Sequence, residues 1–191
     1  GGFLEDYGYD ANYSVVPEKD RVSRYLLSGE VDIAQAAVSA NWSTMEQNKS
    51  IDIVHFAEIN RRDGFFLFGR GTQGKMGWKN LEGCSMVAEQ GGQPFDMLRF
   101  AFNKSGVDIN KIRWIDGGTL DSSIDLFKNG TGDFIHLQGP YPQELAHDGY
   151  GEIVFSVGDV IGPVAFSSMC ATSKFIKTDS YPVFLDSFKK A

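Results

Sequence analysis

The chain has 191 residues, 42% of them hydrophobic and 23% charged, with 22 Gly but 6 Pro. That length and balance fit one globular unit or two small lobes and exclude a disordered or collagen-like chain. Eighteen basic against 25 acidic residues leave a net charge of −7, the wrong sign for a phosphate-backbone binder, so no nucleic-acid partner is expected.

The sequence contains no run approaching the roughly 18 to 20 apolar residues of a membrane span. Its longest apolar stretches, at 65–68 and 153–155, have the length of buried strands. Residues 1–6 lack the basic and apolar segments of a signal peptide. Cys84 and Cys170 form no metal-ligand pattern, and both a bridge and two free thiols remain open.

In chain order, residues 11–16 read as a strand ended by Pro17, and residues 20–27 as a short helix stopped at Ser28-Gly29. A strand follows over 31–37, a helical turn over 43–48, and strands over 51–59 and 64–70. The glycine-rich stretch 71–77 reads as a connector between lobes. Beyond it come a strand at 85–89, a turn at Gly91-Gly92-Gln93 and a helix from Pro94 to residue 104. Strands at 111–115, 133–138 and 153–157 then alternate with helices at 122–128 and 144–147. After the Gly162-Pro163 turn, residues 164–172 read as extended and 181–190 as helical. Alternating strands and helices predict mainly parallel sheets flanked by helices.

An internal echo supports two similar lobes. Residues 26–35 and 126–135 each contain a helix end, a glycine suited to positive φ, an aspartate and an apolar strand. Each strand then enters a polar or aromatic loop, Ser39-Ala40-Asn41-Trp42 in one case and Gln138-Gly139-Pro140-Tyr141 in the other. The plainer alternative is that such junctions recur in any α/β protein.

Several stretches together resemble a known family. They are Gly2-Phe3-Leu4-Glu5-Asp6-Tyr7-Gly8-Tyr9-Asp10, Trp78-Lys79-Asn80-Leu81-Glu82-Gly83, Ser105-Gly106-Val107-Asp108, Gly130-Thr131-Gly132-Asp133 and 170–176. They are similar to motifs of type 2 periplasmic solute-binding proteins, in the NMT1/THI5-like branch of nitrate, sulfonate, taurine and thiamine-precursor receptors. The resemblance implies a two-lobed α/β fold. Lobe 1 would take residues 1–70 and lobe 2 residues 71–160, with 161–191 as the return crossing and the first C-terminal helices. It also implies that the family's first strand and helix, and helices beyond the last one here, are missing from the chain. The hinge would lie near 66–71 and 161–166.

In open sheets, ligands bind outside the strand ends. Ser39 and Asn41 are suited to hydrogen bonding and Trp42 to stacking on a flat ligand, unless they cap a short helix and fill core. Gln90, Gly91, Gly92 and Gln93 open a helix whose N–H groups favour an anion or a carbonyl, and the resemblance places ligand contacts at this loop. The plainer reading there is an ordinary turn. Phe134, His136 and Gln138 share a strand face, with Gln138 and Tyr141 as polar and aromatic contacts and His136 as a satisfied strand histidine. Asp63 and Phe65 complete the set. Arg62 and Asp63 either pair on the surface, the blander reading, or one of them sets ligand charge.

No Gly-x-Ser-x-Gly, phosphate-loop, His-Glu-x-x-His or Cys-x-x-Cys motif occurs, so no catalytic residues, metal or cofactor are expected. The expected protein is the monomeric substrate-binding component of an ABC-type importer, periplasmic or extracellular. It would capture a small organic solute between its lobes by hinge closure, with a membrane permease as partner. The alternatives are an enzyme of pyrimidine synthesis on the same fold and a ligand-sensing domain.

Overall fold

In the computed structural model, which describes residues 2–16, 22–41, 51–71 and 76–190 and not the side chain of Asn41, fifteen named elements follow one another. They are α1 (Val22–Ser28), β1 (Ile33–Ala37), β2 (Val54–Asn60), β3 (Phe65–Gly69), β4 (Ser85–Ala88), α2 (Gly92–Lys104), β5 (Arg113–Asp116) and α3 (Leu120–Lys128). Then come β6 (Phe134–Gln138), α4 (Tyr141–His147), β7 (Glu152–Ser156), α5 (Val157–Ile161), β8 (Ser167–Ala171), α6 (Ser173–Ile176) and α7 (Ser180–Lys190).

Contacts divide the chain into two units. One is Gly1–Asn60 with Ala165–Ala191, and the other is Arg61–Val164. In the first unit, β8 is the middle strand of a three-stranded sheet ordered β1-β8-β2, and both of its pairings are antiparallel. Leu26 of α1 is buried, and Phe56 of β2 packs edge-on against Tyr181 and Phe184 of α7 at 5.2 and 6.0 Å. His55 Nδ1 lies 2.6 Å from the hydroxyl of buried Ser168.

The second unit holds a five-stranded sheet ordered β5-β4-β6-β3-β7. Consecutive residues of its inner strands enter cores on opposite faces, as the two-residue period of a strand requires. Leu67, Met86 and Phe134 join Leu98, Ala101 and Phe102 of α2 and Val157 of α5. Phe68, Val87 and Ile135 join Phe127 of α3 and Leu145 of α4. Burial on both faces explains why these strands lack polar alternation.

Pairing is mixed rather than mainly parallel. Helical crossovers link β4 to β5, β5 to β6 and β6 to β7, and so keep those strands co-directional. β3 has no such crossover before it and inserts antiparallel between β6 and β7, with Phe65 opposite Gln138. Those two pairings place 65–69 in the second unit, and the chain crosses at 60–61 and 164–165.

Residues 11–16 form no strand. They are irregular with Tyr13 and Val15 exposed, and no described strand pairs with them. The expected turn at 43–48 lies outside the described residues. The valine-rich stretch 157–161, read partly as strand, is the helix α5, because Ser156 caps it by accepting the Asp159 N–H at 3.2 Å. Cys84 and Cys170 are free thiols, and burial pushes that of Cys170 up to about 11. No helix among the described residues is long and apolar enough to cross a membrane.

Candidate functional site

Because β3 runs against its neighbours, one edge of the second sheet collects Ala88, Asp116, Gln138 and Ser156, the last residues of four strands, with Phe65, the first of β3. Helices α2 to α5 all start from this edge. Their orphan N–H groups are treated differently. Thr119 and Ser122 close the start of α3 with a reciprocal capping pair, and Asp121 follows in its first turn. Ser156 closes α5, and Glu144 lies in the first turn of α4. By contrast, α2 starts at Gly91-Gly92 with neither a side-chain cap nor an acidic residue in its first turn.

Glycine at 91 is a conformational requirement: φ is +124°, while a Cβ there would meet nothing within 4 Å. The turn therefore borders open space, and thirteen residues of helix stand behind it. That combination suits a carbonyl or anionic oxygen. Gln90, Gly91 and Gly92 are exposed and Gln93 is half-buried.

Two strands away, Asp63 is 5% exposed, and its Oδ1 accepts the Phe65 N–H at 2.7 Å. Burial pushes its carboxyl up to about 6, opposed by the Phe65 hydrogen bond. It does not pair with Arg62, which reaches the exposed Asp159 at 3.1 Å. Phe65 stacks on His136 with ring centroids 4.7 Å apart. His136 is not a satisfied histidine: it is 6% exposed, its Nε2 has no hydrogen-bond partner, and burial lowers its pKa to about 3.

Gln138 is exposed at the strand end, and the Gly139 N–H donates to the Gly64 carbonyl at 3.2 Å. Tyr141 packs half-buried on the α3–α4 side of the sheet, the face opposite Phe65 and His136. The structure thus brings Asp63, Phe65, Gln138 and the loop 90–93 to three neighbouring strand ends, with Tyr141 turned toward the core. Ser39 and Asn41 lie in the first unit within a 3-10 helix, Val38–Asn41, that continues β1. Trp42 lies outside the described residues.

Sequence reasoning missed the loop Gly117-Gly118-Thr119 at the same edge. Its signal was available, since two glycines between a strand and a helix repeat the pattern at 91–92. Asp116 accepts the Gly118 N–H at 3.0 Å and so folds that loop on itself. A separate groove of about 440 Å³, lined by Arg70, Met76, Cys84 and Asp133 among others, lies at the opposite edge of the sheet.

No family model matches the chain. YtlA of Bacillus subtilis (strain 168), named as a binding protein, is 26% identical over 178 residues, covering 92% of this chain and 53% of YtlA. The periplasmic aliphatic sulphonate-binding protein SsuA of Escherichia coli aligns with a TM-score of 0.77 at 15% identity, over 92% of this chain and 60% of that one. The alkanesulfonate-binding protein SsuA of Xanthomonas axonopodis pv. citri, solved bound to MOPS, gives 0.70 at 14% identity, over 98% and 64%. The chain spans about half the length of the curated relative and about three fifths of these solved ones. Its fold is the mixed α/β fold of periplasmic solute-binding proteins.

Proposed function

We propose that the protein is the solute-capturing component of an ABC-type importer. It takes up a small organic molecule at strand-end loops, converts to a closed form by hinge motion, and is read in that form by a membrane permease. It acts as a monomer in the periplasm or outside the cell, held at the membrane through the permease, and performs no chemistry on its ligand. The finer placement is the NMT1/THI5-like branch.

The observation that carries this reading is the edge of the second sheet. Four strands end there, and α2 starts there on an exposed glycine turn with no side-chain cap and no acidic residue in its first turn. The fold likeness to sulfonate-binding proteins supports it and makes sulfonates the first ligands to try. The loop 90–93 supplies backbone N–H groups. Gln138, Asp63 and Phe65 contribute from the neighbouring strand ends of the same unit.

Thermal-shift and native mass-spectrometry screens against sulfonates, pyrimidines and amino-acid-like solutes test the reading. At a hundredfold excess over Kd a true ligand adds about 2.7 kcal/mol of apparent stability. Stabilisation by one class, at 1:1 stoichiometry and without turnover, is expected. Turnover of one of these compounds, with stabilisation by none, overturns it.

A further inference from the structure

The sequence holds one Asn-Gly pair, Asn129-Gly130, and the fold sets it in the exposed turn that ends α3. Asparagine followed by glycine is open to self-modification, because no Cβ shields the next amide nitrogen. That nitrogen attacks the asparagine Cγ, ammonia leaves, and a five-membered imide remains. Water then opens the imide at either carbonyl, giving aspartate or its β-linked isomer, isoaspartate. No enzyme, oxidant or cofactor takes part.

The folded turn opposes the first step. Asn129 has φ −82° and ψ 10°, which turns the Gly130 nitrogen away from the asparagine Cβ. The Gly130 N–H donates to the Phe127 carbonyl at 3.0 Å, and the Thr131 N–H to the Leu126 carbonyl at 2.9 Å. A side chain from elsewhere in the sheet holds this turn shut. Half-buried Arg70, the residue after β3, donates from Nη2 to the carbonyls of Phe127 and Thr131, the latter at 3.0 Å. Its Nε donates to the Gly132 carbonyl at 2.8 Å, and its guanidinium lies 3.9 Å from the centre of the Phe127 ring. The three carbonyls flank Asn129 on both sides along the chain, so the turn opens only when Arg70 lets go.

We infer that Asn129 is a non-enzymatic modification site, converting to aspartate and isoaspartate when the end of α3 opens, and that Arg70 is the positioning residue that sets how often it does. This stands apart from the solute-receptor reading. Once made, the product keeps the turn open. A carboxylate at the C-terminal end of a helix opposes the helix dipole, and isoaspartate puts an extra carbon into the backbone of a tight turn.

Peptide mapping of the full chain after storage in mildly alkaline buffer, with isoaspartyl methyltransferase labelling, tests it. Asn129 converts roughly tenfold or more faster in urea-unfolded chain than in folded chain. Arg70→Met keeps an apolar stem on Phe127, removes every donor, and raises the folded rate roughly tenfold, with Arg70→Lys between it and the parent. Asn103 and Asn110, both exposed and followed by lysine, are internal standards that stay unconverted. Phe102→Ala lowers global stability from the other core of the sheet and leaves the folded rate within about twofold. Equal rates in folded and unfolded chain overturn the inference, as does an unaltered rate in Arg70→Met. So does acceleration by Phe102→Ala as large as that by Arg70→Met. If neither Arg70 variant folds, amide exchange in the unaltered chain decides. Gly130 exchanges faster than Leu67 and Ile135 if the turn opens locally, and exchange as slow as theirs overturns the inference.

Discussion

Gly158 sits against the backbone of Asp63 so closely that a Cβ on it would overlap the Asp63 carbonyl oxygen. In an ordinary helix, Gly→Ala stabilises by up to about 1 kcal/mol. Here the sign inverts. Gly158→Ala pushes α5 away from the start of β3 and costs about 1–3 kcal/mol, the usual penalty of forcing extra volume into a packed site. Urea unfolding of the variant measures this, and an unchanged midpoint would refute it.

Stability against pH separates Asp63 from His136. The Asp63 carboxyl is raised to about 6, so the folded chain binds protons that the unfolded chain has released, and stability falls as pH rises from about 4 to 6. His136 is lowered to about 3, so its contribution is complete above the ordinary histidine range and drains away as pH falls from about 6.5 toward 3. The two slopes oppose each other between about 4 and 6. Asp63→Asn removes the first, making the chain more stable at pH 8 by on the order of 1–3 kcal/mol and leaving a profile that climbs with pH. His136→Phe leaves the falling slope instead. Denaturant melts from pH 4 to 8 on both variants and the parent chain show this, and parallel profiles would contradict it.

Asp133 ties the starts of β4 and β6 together. Its Oδ2 accepts both the N–H and the hydroxyl of Ser85 at 2.7 Å, and its own N–H donates to the Ser85 hydroxyl at 3.0 Å. Those bonds hold the carboxyl below its ordinary pKa, so this contribution is lost in acid as pH falls below the usual carboxylate range. Asp133→Ala strands a buried Ser85 N–H and costs about 1–3 kcal/mol. Amide exchange reports it as faster exchange at Ser85, with the α2 amides at Leu98 and Ala101 hastened solely by the global loss.

Phe102 is fully buried between Trp78 and Trp114, each 5.8 Å away by ring centroid. Phe102→Ala empties the middle of that aromatic group and costs about 3–5 kcal/mol. Tryptophan emission moves to longer wavelength as both indoles gain water. A stability loss under 1 kcal/mol with unshifted emission would mean that the group does not depend on its central ring.

The mostly apolar stretches at 65–69, 85–88 and 134–138 made the inner strands readable, because burial on both faces writes itself largely into composition. The echo was readable too: Gly29 and Gly130 end α1 and α3 at φ +78° and +96° and lead toward β1 and β6. Strand direction was not. Nothing in Phe65-Phe66-Leu67-Phe68 records that it enters against its neighbours, since direction depends on the route of the chain and not on side-chain period. Nor could the burial of Asp63 be seen, because it depends on α5, a helix too short and too rich in β-branched residues to announce itself. The glycine turn at 91–92 was placed correctly at a strand end. That α2 combines a missing side-chain cap with a first turn free of acidic residues, unlike its three neighbours, emerges when all four starts share an edge.

The Val164 N–H donates to the Arg61 carbonyl at 2.8 Å, so the second unit begins and ends at one point, while β8 separates β1 from β2 in the first sheet. During synthesis the second unit has every strand it needs once Ser156 has emerged. Among the described residues, β1 and β2, made long before, have no partner strand until residues 167–171 leave the ribosome. Their bare backbone edges wait through the whole translation of the inserted unit, and a pause in that interval would expose them to neighbouring chains.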